Sequence, residues 1–370
     1  MLNDLRWKEI QMNFLKRSLL IGIVIVASFL GLSLKVDANE VGFSAEPVLP
    51  KNQIDAQSGY FHLLMKQGDS QKIQVKLKNT KDEKVELSAW VSSAKTNVNG
   101  VVDYSDNKGE VDSSLQHDLS DLVKIEKDIV LPPKSEKTVD IEVKMPDSRM
   151  EGMIAGGLTF EEKKASATQQ VSSQTGIKNK FSYVIALLIQ QEEEILQDPE
   201  LAIGKIAPSQ LNAKSTISAE FRNVSSVFLN DMSVKVKISD KKSKKQVFEH
   251  SKDSMQMAPN TTMDFPVFLN GEKLKAGDYS YEAIITGKGS GEEAEKQEWK
   301  LTSDFTIEKD TAQKLNKTDT QLEDDKSIAW WVWLLIALNI LVVLGIILYV
   351  VIKNNKKKNK KKKRRKKKKR

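Results

Sequence analysis

The sequence predicts an all-β protein of two immunoglobulin-like β-sandwich domains in tandem, followed by one C-terminal transmembrane helix. Three observations carry this prediction. Apolar and polar residues alternate with a period of two in short stretches from Gln71 to Ile307, separated by polar turns, as half-buried strands require. No long amphipathic helical pattern interrupts them. Ile328 to Ile352, IAWWVWLLIALNILVVLGIILYVVI, then runs for 25 positions without a charge. About 20 apolar residues cross a hydrocarbon core of roughly 30 Å, so this run is long enough to span with some tilt.

In chain order, Met1 to Arg17 is polar and carries Arg6, Lys8, Lys16 and Arg17, and Ser18 to Leu34 is an apolar run. Val36-Asp37-Ala38 precedes Asn39 with residues that suit a cleavage site, so residues 1–38 are expected to be a secretory signal peptide. An uncleaved anchor is the alternative, and both place the middle of the chain outside. Residues 39–195 form the first expected domain. Ile73, Val75 and Leu77 alternate with lysines and glutamines, Val85, Leu87, Ala89 and Val91 repeat the pattern, and Val139, Ile141, Val143 and Met145 repeat it again. Phe181 to Ile189 is nearly all apolar and is expected to be a central strand covered on both faces. Gly152, Gly156 and Gly157 suggest a bend or bulge, and Thr168 to Gly176 a surface loop or hairpin tip.

Leu196 to Pro199 is expected to link the halves, and residues 196–308 form the second domain. Its strands are marked by Ile217, Ala219 and Phe221, by Val234, Val236 and Ile238, by Tyr279, Tyr281, Ala283 and Ile285, and by Trp299, Leu301, Phe305 and Ile307. Both halves place an alternating strand that ends in Asn (Asn79, Asn223) before a second strand, a proline turn (Pro132-Pro133, Pro259) and a third strand. A two-fold repeat explains this order; the general sameness of β-sandwiches explains it too. Residues 309–327 are charged and poor in large apolar side chains, and are expected to be a flexible stalk. In the span at 328–352, Trp330, Trp331 and Trp333 crowd one end and Tyr349 the other, as interfacial rings do. The tail at 353–370 has fifteen Lys or Arg and no acid, which orients it to the cytoplasm and toward anionic lipid.

Charge is segregated along the chain. The net charge is +8, but the tail holds +15 and the first 38 residues +2, which leaves residues 39–327 at −9. No nucleic-acid partner is expected for so acidic an outer region. There is no cysteine, hence no disulfide framework and no thiolate metal site.

Several motifs in order carry a family resemblance. The first half has Gly59-Tyr60-Phe61-His62-Leu63, Gly68, the strand ending at Asn79, Ala94 to Gly100, Asp103-Tyr104, Leu131-Pro132-Pro133, Met145-Pro146 and Ala155-Gly156-Gly157-Leu158. The second has Leu201 to Lys205, Pro208 to Asn212, Leu229 to Met232, Met255 to Asn260, Phe265-Pro266 and Leu274 to Tyr279. With the signal peptide, anchor and basic tail, the chain resembles the WxL-interacting proteins of Gram-positive bacteria over nearly its whole length. One departure is Gln67-Gly68, where the family often has Pro-Gly. The resemblance implies a peptidoglycan-binding first domain and a host-binding second domain with fibronectin-type ligands. It also implies assembly with WxL-domain surface proteins and no catalytic residues.

Sites of chemistry are sparse. His62, His117 and His250 are far apart in sequence, and a zinc site would need carboxylates beside them. Asp103 to Asp112 has the spacing of acids in a calcium loop, but Lys108 stands where the sharp turn needs Gly. Gly287 to Gly291 lacks a following helix and is expected to be a hairpin tip, not a phosphate loop. Gln321 to Ser327 holds no Leu-Pro-x-Thr-Gly, so the chain is expected to stay in the membrane. No residue is assigned to catalysis, a cofactor or a metal, and no ligand-binding residue is named. The expected function is a non-catalytic, membrane-anchored surface scaffold; the alternative is a membrane-tethered cell-wall hydrolase or assembly factor that uses a carboxylate pair.

Overall fold

In the computed structural model the described residues are 42–106, 108–163, 180–291 and 294–322, with 334, 335, 337, 338, 340, 341 and 344 further on. The expected signal peptide, the hairpin tip at 168–176, the tail at 353–370 and most of the span at 328–352 lie outside them. Among the described residues no helix is long and apolar enough to cross a membrane.

Eighteen strands are described, sixteen of them in two face-to-face sheet pairs and two in a separate short ribbon. The N-terminal sandwich joins a sheet of order β1-β3-β9-β7 to one of order β2-β11-β10-β4-β8. These strands are β1 (Phe43–Val48), β2 (Phe61–Leu64), β3 (Ser70–Asn79), β4 (Val85–Ser93), β7 (Val123–Lys124), β8 (Asp128–Leu131), β9 (Glu136–Lys144), β10 (Met153–Glu162) and β11 (Ser182–Gln190). The short ribbon β5 (Lys95–Thr96) with β6 (Val102–Asp103) and the one-turn helix α1 (Leu119–Leu122) lie in the excursion between β4 and β7. The alternation works as expected: Ile73, Val75 and Leu77 of β3 point into a core with Phe43, Leu87, Phe160 and Leu187, while the intervening lysines face water.

The C-terminal sandwich joins β12 (Leu201–Leu211), β13 (Lys214–Asn223) and β16 (Thr261–Phe268) to β15 (Gln246–Met257), β14 (Leu229–Asp240), β17 (Gly277–Lys288) and β18 (Gln297–Ile307), in sheet orders β12-β13-β16 and β15-β14-β17-β18. The order β1-β3-β9 of the first half matches β12-β13-β16, and β8-β4-β10-β11 matches β15-β14-β17-β18. The two asparagines occupy the same place in this scheme. Asn79 donates from Nδ2 to the carbonyls of Glu83, Leu131 and Pro132, and Asn223 donates to those of Val227 and Ala258. Each is buried at a strand end and ties the next turn to the proline turn, satisfying carbonyls that would otherwise be stranded in the interior.

Three expectations change. No register shift separates β10 from β4 or β11, so Gly156 and Gly157 make no bulge. A Cβ at Gly156 would meet the Ser92 carbonyl oxygen and lie 2.5 Å from Leu119 Cδ2, and one at Gly157 would meet the Tyr104 carbonyl oxygen. These glycines instead let neighbouring chain lie directly on the sheet. Residues 309–318 of the expected stalk form the helix α2 (Lys309–Thr318), packed on the C-terminal sandwich. Ala312 is buried in that core with Leu315 against it. Asn316 donates to the Leu274 carbonyl and accepts from its N–H, each at 2.8 Å, and Asp319 accepts from Ser215 N at 2.9 Å. Two apolar side chains one turn apart are enough to dock a helix whose other residues are polar. Finally, β11 is covered on both faces only in its C-terminal part: Val184 is exposed, and Leu188 is buried by the C-terminal sandwich.

Candidate functional site at the junction of the two sandwiches

The excursion after β4 builds the N-terminal side of the junction. Ser92 Oγ donates to the Tyr104 carbonyl at 2.8 Å and Trp90 Nε1 to that of Ser105 at 3.0 Å, so the segment lies flat across the outer face of β4 and β10. Its carboxylates are engaged by the protein itself. Asp103 accepts from Ser105 N and Oγ, and Asp106 from Lys108 N, Gly109 N and Lys95 Nζ. The acids of this stretch therefore point to separate partners rather than to a common centre.

Asp112 crosses to the C-terminal sandwich. It accepts from Arg222 Nε and Nη2, each at 2.7 Å, from Ser114 N at 2.8 Å and from the Thr262 hydroxyl. Its side chain is 1% exposed and that of Arg222 28%. The Arg222 hydrogen bonds, joined by those of Thr262 and Ser114, hold the Asp112 carboxyl well below the usual carboxylate range against the opposing effect of burial. Around the pair, Thr96 Oγ1 meets Thr261 Oγ1 at 2.7 Å and accepts from Ala258 N at 3.0 Å, while Asn260 Nδ2 reaches the Ser114 carbonyl at 3.2 Å. Backbone joins backbone as well: Met153 N donates to the Ser226 carbonyl at 2.7 Å and Gln256 N to that of Gly100 at 2.8 Å. Gly152 and Gly100 have φ of +75° and +69°, and a Cβ on Gly152 would meet the Ser226 carbonyl oxygen. Ala94, Met153, Ala155 and Leu188 pack against Phe228 and Ala258 in a small separate core.

Several clefts open along this seam among the described residues. A polar one of about 400 Å³ is lined by His117, Arg149, Glu151, Gln197, Ser226 and Asn260. A second of about 700 Å³ contains Glu110, Glu220, Arg222 and Asp264. Glu220 and Asp264 are direct partners across β13 and β16, and burial, then the Glu220 charge, raises the Asp264 carboxyl above its ordinary range. The third, of about 330 Å³, is lined by Tyr60, Tyr104 and Phe228 with Asn230, Gln256 and Ser290. Burial pushes the Tyr104 phenol up to about 12, with a smaller contribution from Tyr60.

The histidines do not converge. His62 pairs with Gln190 Oε1 at 2.9 Å, His250 lies 5.6 Å from the Phe265 ring, and His117 lines the polar cleft. Among the described residues no group of three or more His, Cys, Asp or Glu is placed to hold a metal. Gly287 and Lys288 end β17, Gly289 to Gly291 follow it toward the antiparallel β18 as expected of a hairpin tip, and Gly68 keeps its turn with φ +71°. Periodicity missed the junction because its residues come from many stretches far apart in the chain. The motifs that carried the resemblance do meet there: Tyr60, Ala94 to Gly100, Asp103-Tyr104, Ala155 to Leu158, Leu229-Asn230 and Met255 to Asn260.

Two family profiles match the chain. One, described as WxL Interacting Protein, peptidoglycan binding domain, covers residues 43–162. The other, described as WxL Interacting Protein, host binding domain, covers residues 172–317. The second match includes β11, which the structure places in the N-terminal sandwich, and most of α2. No curated protein matches in sequence. Solved structures with similarity include the E. coli chaperone DraB, at 10% identity over 72% of this chain and 95% of that one, with a TM-score of 0.27. The Pseudomonas aeruginosa CupB2 chaperone is similar at 11% identity, over 64% and 93% of the two chains, with a TM-score of 0.25.

Proposed function

Because the chain belongs to the WxL Interacting Protein family, with the family's peptidoglycan-binding and host-binding parts in order, we propose that it is a non-catalytic, membrane-anchored scaffold of the cell surface. The N-terminal part contacts peptidoglycan. The C-terminal part holds a host ligand, an extracellular-matrix protein such as fibronectin, and the whole assembles with secreted WxL-domain proteins. Its two sandwiches are a tandem of immunoglobulin-like domains. The observation that carries this reading is the junction. A buried ion pair, backbone hydrogen bonds and a small core lock the two parts, so a wall contact and a partner contact are held at a set spacing.

The anchor is the run at 328–352, with the basic tail in the cytoplasm against anionic lipid. Support comes from Leu334, Leu338, Ile340, Leu341 and Leu344, which are helical and 55–66% exposed, a cost that lipid removes. The test uses the full-length protein in detergent micelles, offered separately to purified sacculi, a WxL-domain protein and immobilised fibronectin. Retention by sacculi together with one protein partner is the expected result. Failure to bind any of the three overturns the scaffold.

The Glu220–Asp264 pair motivates the second reading, a wall hydrolase. Burial and the neighbouring Glu220 raise the Asp264 carboxyl above its ordinary range, and the two acids share a cleft, as a general acid and its partner carboxylate would. Release of soluble fragments from sacculi, abolished by Glu220→Gln, would establish that reading in place of the scaffold.

A further inference from the structure

The third cleft is the one whose chemistry points to a ligand. Its N-terminal wall is the outer face of β11, at Ala186 and Leu188, with Tyr60 and Tyr104 beside it. The Tyr60 carbonyl accepts from Gln53 Nε2 at 2.9 Å and Ser58 Oγ at 3.0 Å, and Tyr104 is held over Gly157 by Ser92. The backbone that carries each ring is thus fixed before any ligand arrives. Neither phenol hydroxyl has a hydrogen-bond partner among the described residues.

The opposite wall is polar and belongs to the C-terminal sandwich. Gln256 Nε2 donates to Asn230 Oδ1 at 2.6 Å, and Asn230 Nδ2 donates to the Gly289 carbonyl at 3.0 Å. This chain leaves Gln256 Oε1 as an acceptor. Ser290 Oγ accepts from Phe228 N at 3.2 Å, so its own hydrogen is available to donate. The groove therefore combines ring faces, two phenol donors, a serine donor and an amide acceptor. It has room for a small ligand, at about 330 Å³.

Resting on the peptidoglycan-binding reading, we propose that this groove binds the glycan strand, with an N-acetylated amino sugar against Tyr60 and Tyr104. Such a sugar has an apolar C–H face that packs on aromatic rings, and a methyl group that suits the floor at Phe228 and Leu188. Its acetamide has one N–H and one C=O, which Gln256 Oε1 and the Ser290 hydroxyl complement. A stem peptide offers many charges and no flat apolar face, and the groove wall carries no ionised side chain to receive it. The site is then shared between the sandwiches, and binding of glycan stabilises the locked junction.

The experiment uses full-length protein in micelles, with purified sacculi and a soluble tetrasaccharide of alternating N-acetylglucosamine and N-acetylmuramic acid as probes. Tyr60→Ala and Gln256→Ala, both at half-buried positions, are each expected to weaken tetrasaccharide binding about tenfold, the equivalent of about 1.4 kcal/mol. A de-N-acetylated tetrasaccharide is expected to bind as poorly to the natural protein. If sacculi are retained but both variants bind the tetrasaccharide as well as the natural protein does, the groove is refuted and the peptidoglycan reading survives. If the natural protein ignores sacculi altogether, the peptidoglycan reading falls and takes the groove with it. Equal binding of acetylated and de-acetylated sugars refutes the acetamide recognition. Competition by stem peptide alone refutes the glycan assignment. Should either variant lose its cooperative melt, the other variant and the de-acetylated probe still decide.

Discussion

Replacing Asp112 by Ala removes the central strut of the junction, and its cost can be worked from the geometry. Pairs exposed to water are worth about 0.2–1 kcal/mol, whereas removing one partner of a fully buried pair costs about 3–5 kcal/mol. Asp112 is 1% exposed and Arg222 28%, with two 2.7 Å hydrogen bonds between them, so an intermediate cost of about 2–3 kcal/mol is expected for Asp112→Ala. Arg222→Ala should cost at least as much, because it leaves the buried Asp112 carboxyl with only Ser114 N and Thr262 and also removes the donation to Ser113 Oγ at 2.8 Å. Urea unfolding of the two single variants and the double variant closes a cycle, with an expected coupling of about 2 kcal/mol. The same pair sets a pH dependence. The folded carboxyl titrates below its unfolded value, so its stabilisation is fully present above about pH 5 and is lost as pH falls toward the folded pKa. The gap between natural protein and Asp112→Asn should therefore be flat from pH 6 to 8 and narrow on going to pH 3. Additive single-variant effects, or a gap that widens in acid, would refute the reasoning.

Three further outcomes are expected. Gly156→Ala should destabilise by about 1–3 kcal/mol in thermal melts, since its Cβ has to displace the Ser92 carbonyl or Leu119; a neutral effect would show that β10 is looser than described. Ending the chain at Ile307 should lower the melting temperature of the C-terminal sandwich, because it uncovers the site of Ala312 and Leu315 and leaves Leu274 N–H and C=O without Asn316; an unchanged melt would return these residues to the role of a stalk. His250 titrates below its ordinary value through burial, and Lys252 adds to this. Its contribution is present above the unfolded pKa near 6.5 and lost as pH falls, so His250→Gln should flatten the stability profile between pH 7 and 5.

Much of the fold was legible because a strand's period of two is a local signal. The alternation at Ile73, Val75 and Leu77, or at Tyr279, Tyr281 and Ala283, requires only that one face be buried, whatever buries it. The twin asparagines were visible for a related reason: a buried amide at a strand end serves the turns beside it, and that service recurs with the repeat. α2 was missed because its apolar face is only Ala312 and Leu315, below what a helical pattern shows in a charged stretch. Gly156 and Gly157 marked a special backbone, yet whether a glycine bends a strand or admits a neighbour depends on what lies above it.

By itself, then, the sequence determined the strands, the uncharged run at 328–352 and the segregation of charge. Each of these follows from residues near one another in the chain, through periodicity, turn chemistry or uninterrupted hydropathy. Only the tertiary structure decided where the two halves touch. Asp112 and Arg222 are 110 positions apart and each is an ordinary surface residue in its local pattern. They become a buried pair because the excursion after β4 is laid across β10 and carried to β13, a placement set by long-range packing. The same packing brings Tyr60 and Tyr104 opposite Gln256 and Ser290, and no local pattern could have joined them.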